Sequence, residues 1–176
     1  MTKTLKTIAG TALLLAALTA CSSQHSSATA TATAAAATKA GAAADKPLTA
    51  SSAFTHLSSE IASAKLSGTV TEENDPNNLL GRPNQYTSKI TFTDSRIKPA
   101  DVEGTDKGAV ERGGAIEVFT SPENAQARAK YIESVTKSMP TLTEYDYVHG
   151  SILVRVSHYL TPKQAAEYKA AANGLG

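Results

Sequence analysis

The sequence predicts an α+β domain: an N-terminal helix followed by two ββα units, forming a four-stranded antiparallel sheet with its helices on one face. Three observations carry this. Residues 86–94, "YTSKITFTD", alternate side chains with the period of a strand. "EYDYVHGSILVRVSHY" sets two strand-like runs on either side of His149 and Gly150. Ser121-Pro122 and Thr161-Pro162 each open a helical pattern directly after a strand pattern.

Taken in order, "TASSAFTHLSSEIASAKL" places Phe54, Leu57, Ile61 and Ala64 at helical spacing, with Thr49 or Ser51 as cap and His56 off the stripe, facing water. "TEENDPNNLLGRPNQY" gathers Asn, Asp, Pro and Gly, residues that initiate turns through αL tolerance, local side-chain hydrogen bonds and fixed φ. In the strand that follows, Tyr86, Ser88, Ile90 and Phe92 share one side and Thr87, Lys89, Thr91 and Thr93 the other. A long connection through Pro99, Gly104 and Gly108 leads to "GAIEVFT", with Ile116 and Val118 inward and Glu117 outward. Connections of that length tend to be functional or disordered, and Ala109 to Glu111 is a candidate for additional strand pairing.

"SPENAQARAKYIESVTKS" has Ser121 as N-cap, Pro122 at the first helical position and Glu123 at the positive dipole end, with Ala125, Ala129, Ile132 and Val135 as the buried stripe. A turn at His149-Gly150 would face Tyr147 to Ile152 and Tyr145 to Val154 in the core, and pair Glu144 with Arg155 on an exposed outer face. Thr161, Pro162 and Gln164 make a capping box into a last helix that turns Ala165, Tyr168 and Ala172 inward and ends at Gly174. "VFTSPENAQ" and "HYLTPKQAA" resemble each other, so the two ββα units are either a duplication or two uses of one junction chemistry.

Ahead of this domain, Lys3 and Lys6, the apolar "IAGTALLLAAL" and small residues before Cys21 have the zones of a secretory signal. The apolar run is short of the roughly 20 residues that span a bilayer. Leu18-Thr19-Ala20-Cys21 resembles the lipobox of bacterial lipoprotein precursors. That resemblance implies diacylglycerol on the Cys21 sulfur, cleavage just before it, and Cys21 as the mature N-terminus. The alternative is an ordinary signal peptidase cutting at the A-x-A-like "LTA", which would leave Cys21 an exported free thiol. Cys21 is the only cysteine, so no disulfide forms within the chain. Two acyl chains anchor durably where one anchors marginally.

The chain thus divides into a signal peptide at 1–20, a lipidated cysteine with an Ala/Ser/Thr tether at 21–47, and a single domain at 48–176. The tether has almost no large side chain and cannot offset the entropy of ordering. As a coil it spans about 28 Å root-mean-square and about 90 Å fully extended. The lipobox, the tether and the passage from "DPNNLLGRP" to "YTSK" are similar to those of small lipoproteins of high-GC Gram-positive bacteria. That resemblance implies a place, the outer face of the cytoplasmic membrane, and no particular activity.

Formal charge is +1, and removing Lys3 and Lys6 leaves 15 basic against 16 acidic residues. Without a basic block or aromatic-interleaved basic stripe, nucleic acid is not an expected partner. The chain contains no nucleophile elbow, phosphate-binding glycine loop, H-E-x-x-H helix or Cys-based metal spacing, so no catalytic set, metal or cofactor is called for. His149 and His158 fall at opposite ends of one hairpin. "EENDPNN" lacks the spaced acids of a calcium loop. The loop bearing Asp75, Asn77, Arg82 and Tyr86 is the candidate contact for a small ligand or an envelope protein, since recognition is carried disproportionately by loops on rigid scaffolds. The expectation is a non-enzymatic binding or accessory domain anchored at the membrane. The alternatives are an envelope enzyme without a recognisable motif and an inhibitor or chaperone-like module docking through an outer sheet face with Lys89, Thr91 and Glu117.

Overall fold

The computed structural model describes residues 47–175; the leader, Cys21, the tether as far as residue 46 and Gly176 lie outside the described residues. The described part is α+β, with a five-stranded, wholly antiparallel sheet and three α-helices. In chain order these are α1 (Ala50–Glu60), β1 (Ala64–Thr69), β2 (Ser88–Asp94), β3 (Gly113–Val118), α2 (Pro122–Ser138), β4 (Glu144–His149), β5 (Ile152–Ser157) and α3 (Pro162–Asn173). The sheet order is β1-β2-β3-β5-β4.

Helix starts follow the local chemistry. Thr49 caps α1 and forms a capping box with Ser52, Ser121 caps α2 ahead of Pro122, and Thr161 and Gln164 form the capping box of α3. The first helix, however, ends at Glu60, so Ala64 belongs to a strand. That strand, β1, is the fifth one, absent from the four-stranded expectation. "AKLSGT" has little alternation of its own, and its conformation is fixed by pairing with β2, interrupted by an irregularity between Leu66 and Gly68.

The helices occupy both faces of the sheet, not one. On the first face Ile90, Phe92, Ile116, Val118, Ile152, Val154 and Val156 pack under α1 and α3. Phe92 stacks between Phe54 of α1 and Tyr168 of α3, with centroids 5.8 and 5.4 Å apart. Gly114 lies opposite Phe92, and a Cβ there would overlap the Phe92 ring and the Arg155 carbonyl. Buried Asp94 accepts from the Tyr168 hydroxyl at 2.6 Å and Ser63 at 3.1 Å and pairs with Arg96 at 2.7 Å, which ties α3 to the β1–β2 edge. On the second face Tyr86, Phe119 and Leu153 pack with Ala125 and Ile132 of α2. Tyr86 therefore precedes β2 and does not share the Ile90 and Phe92 side. A twofold axis normal to the sheet would carry α2 and α3 to the same face. Their opposite placement does not match such an axis.

The β4–β5 hairpin turns at Gly150-Ser151, with Gly150 at φ +52 as a tight two-residue turn requires. Its register lies two residues from the expected one: Tyr147 faces Val154, Tyr145 faces Val156 and Asp146 faces Arg155. A shift of two preserves which side chains share a face. The connection between β2 and β3 does not pair at Ala109 to Glu111. It forms 3-10 turns at Pro99–Val102 and Val110–Arg112. Arg112 binds the carbonyls of Val102, Thr105 and Asp106, and Ser157 donates to the Glu111 carbonyl at 2.7 Å.

Candidate functional site

Beneath α2, strand positions that a second core would fill with apolar side chains carry charge. Lys89 of β2 and Glu117 of β3 are directly paired, with Nζ 3.0 Å from Oε1. Arg128 lies on the α2 stripe between Ala125 and Ile132, and its Nε donates to Glu117 Oε2 at 3.1 Å. Arg155 of β5 donates from Nη1 to Glu117 Oε1 at 3.2 Å, and its Nε and Nη2 make a fork on both oxygens of Glu144 at 2.7 and 2.9 Å. One fully buried carboxylate thus holds three cations whose side chains are only 6, 10 and 14 % exposed. The supposed outer face with Lys89, Thr91 and Glu117 is buried and is not available for docking a protein.

Burial by itself would push the Glu117 carboxyl up, but the charges of Lys89, Arg155 and Arg128 outweigh it and hold it at about 2. Burial works against the Arg155 charge, while Glu144 and Glu117 keep it protonated beyond its ordinary range. Next to this cluster Asp146 behaves oppositely. Burial, then the adjacent Glu144 charge, push its carboxyl up to about 8 in spite of Arg155. Its Oδ1 is buried and is the one such side-chain oxygen without a hydrogen-bond partner among the described residues.

The charges open onto a cavity of about 350 Å³ lined by α2, the sheet and the Gly108–Glu111 part of the connection, with Tyr131, Val135 and Leu142 as an apolar wall. A second cavity of about 490 Å³ runs from there toward the edge strand β1, past Thr91 and Asp106. Lys89, Pro76, Gly108 and Ala109 line both. These sizes suit small-molecule sites, which are concave and apolar with a few fixed polar groups.

The loop singled out from the sequence is held by a buried pair. Asp75 and Tyr86 are brought together, both buried: the Tyr86 hydroxyl lies 2.7 Å from each carboxylate oxygen, and the N–H groups of Asn77, Leu79 and Leu80 donate to the same carboxylate. Burial tends to raise the Asp75 pKa, but the Tyr86 hydroxyl and these N–H groups bring it below its ordinary value. Asp75 and Tyr86 therefore form a latch that closes the loop. Asn78 and Asn84 take the positive φ values that such a loop needs. Arg82 is exposed, on a cavity of about 340 Å³ that Glu72, Asp75 and Gly81 also line. Of the four residues, Asn77 alone borders the charged cleft.

Sequence reasoning missed Lys89, Glu117, Arg128, Glu144, Asp146 and Arg155 as a cluster. Three signals were present: the pairing of Glu144 with Arg155, the common face of Lys89 and Glu117, and Arg128 as a charge between the buried Ala125 and Ile132 of its helix. Among the described residues no group of three or more His, Cys, Asp or Glu is arranged to hold a metal ion, and no helix is long and apolar enough to cross a membrane. No family model, curated protein or solved structure matches the chain.

Proposed function

We propose that this chain is a lipoprotein held on the outer face of the cytoplasmic membrane by diacylglycerol on Cys21, and that its folded domain binds a small ligand in the α2-face cleft without transforming it. The lipobox and the Ala/Ser/Thr tether support the anchor. The binding half rests on one observation: three nearly buried cations, fixed in place by a fully buried Glu117, floor a cavity of ligand size. Groups locked by packing and ion pairing lose little entropy when a ligand arrives. Glu117 and Glu144 are each committed to cations, which suits recognition better than proton transfer.

Metabolic labelling with an alkyne fatty acid tests the anchor. Label on the wild type and none on Cys21→Ala is expected; equal label on both contradicts it. Native mass spectrometry of the full-length chain extracted from its own membrane tests the binding. A small-molecule adduct lost in Arg128→Gln supports the cleft, and an adduct retained equally in that variant excludes it.

A further inference from the structure

We infer that the cleft takes a ligand bearing a single carboxylate on an aromatic or aliphatic body, the carboxylate seated on Arg128 and Lys89 and the body against Tyr131, Val135 and Leu142. This rests on the cleft being a binding site and specifies what it binds.

Arg128 carries the argument. A guanidinium presents five N–H donors, and this one, nine-tenths buried, uses only its Nε toward a protein acceptor among the described residues. Lys89 presents three donors and meets one acceptor, Glu117. The remaining Arg128 donors have no protein partner among the described residues at the cavity wall, and a planar guanidinium matches a carboxylate in a two-bond fork. Both side chains line the same cavity.

Charge limits the valence of the ligand. Lys89, Arg128 and Arg155 are set against Glu117, Glu144 and the Glu111 side chain on the cavity wall, so the site has no surplus positive charge to offset a doubly charged phosphate group. A single carboxylate on the free Arg128 donors adds the least repulsion. The non-polar half follows from exposure: Tyr131 and Leu142 are 60 and 43 % exposed, large apolar side chains left open at the mouth of this cavity. The volume of about 350 Å³ is within the range of small-molecule sites.

The test titrates the full-length chain in detergent micelles with phenylbutyrate, phenylbutanamide, phenylbutylamine and phenylbutyl phosphate, followed by backbone amide NMR. Phenylbutyrate should move the signals of Gly108, Ala109, Ala115 and Arg128 and bind at least about tenfold tighter than the amide. Arg128→Gln should bring phenylbutyrate down to the level of the amide, and Tyr131→Ala should weaken both alike. If Arg128→Gln proves unfolded, Arg128→Lys should give an intermediate loss, and unchanged affinity there overturns the assignment. Equal binding of acid and amide at the cleft overturns the carboxylate and leaves the site standing. Tighter binding of the amine or the phosphate overturns the monoanion. Shifts confined to other surfaces, or none with any of the four probes, overturn the site as well.

Discussion

Lys89 and Glu117 form a directly opposed cross-strand pair, 3.0 Å between Nζ and Oε1, at a place where both are buried. The pair is the hub on which Arg128 and Arg155 converge, so the sheet, α2 and the β5 strand meet at one carboxylate.

Removing that carboxylate should be expensive. Glu117→Gln leaves three nearly buried cations without their shared counter-charge, and breaking a buried pair from one side costs about 3–5 kcal/mol. Lys89→Met should cost less, because Glu117 retains both arginines. Urea denaturation of the two single variants and the double variant gives the coupling energy. The expected value exceeds the roughly 0.2–1 kcal/mol of exposed pairs, and a value inside that range would mean the cluster is effectively solvated.

Acid should act through the same group. A carboxyl whose pKa is lower folded than unfolded binds fewer protons in the folded state, so its contribution is present above the unfolded value and is lost as pH falls. For Glu117 the loss runs from 4.5 down to about 2. Asp75 and Asp94, also lowered, add to the acid limb in every variant. Denaturation at stepped pH should therefore show a shallower acid slope in Glu117→Gln than in the wild type, and parallel slopes would contradict the assignment.

Asp146 predicts the opposite trend. Its pKa is raised, so the folded state holds the proton longer than the unfolded chain and stability declines as pH rises from 3.8 to about 8. Asp146→Asn keeps a neutral side chain of the same shape and removes that decline. The variant should gain on the wild type steadily from acid to alkaline pH, as read by thermal melts. A variant that loses ground over that range would show that the ionised carboxylate is the stabilising form.

The loop before β2 should behave as a structural latch with an inert tip. Tyr86→Phe deprives buried Asp75 of its hydroxyl donor and should cost about 1–3 kcal/mol. Arg82→Ala, at an exposed side chain, should stay within about 0.5 kcal/mol. Chemical denaturation compares them, and a larger loss at Arg82 would reverse the roles.

What the sequence disclosed was local. Ser121-Pro122 and the Thr161/Gln164 box place two helix starts because capping involves neighbours three residues apart. The face on which α2 lands is not local. An amphipathic stripe says that a helix buries one side, not which side of the sheet receives it. Arg155 and Lys89 accordingly read as outward, since alternation separates two faces of a strand without saying that both are covered. Strand β1 was hidden for a related reason: its conformation comes from its β2 partner. The sequence marks Asp75 and Tyr86 among four residues of a contact loop and not as a pair, and the donors that hold Asp75 inward include backbone groups, which composition does not show.

The most direct test of the cleft as the working site is photocrosslinking in intact cells from benzoylphenylalanine placed at Tyr131, at the cleft mouth, with Leu66 on the exposed edge strand as the control position. Intact-protein mass spectrometry should show a small-molecule mass gain at position 131, reduced by Arg128→Gln, and none at position 66. A protein-sized adduct at 131, or equal small adducts at both positions, would contradict a ligand-binding cleft beneath α2.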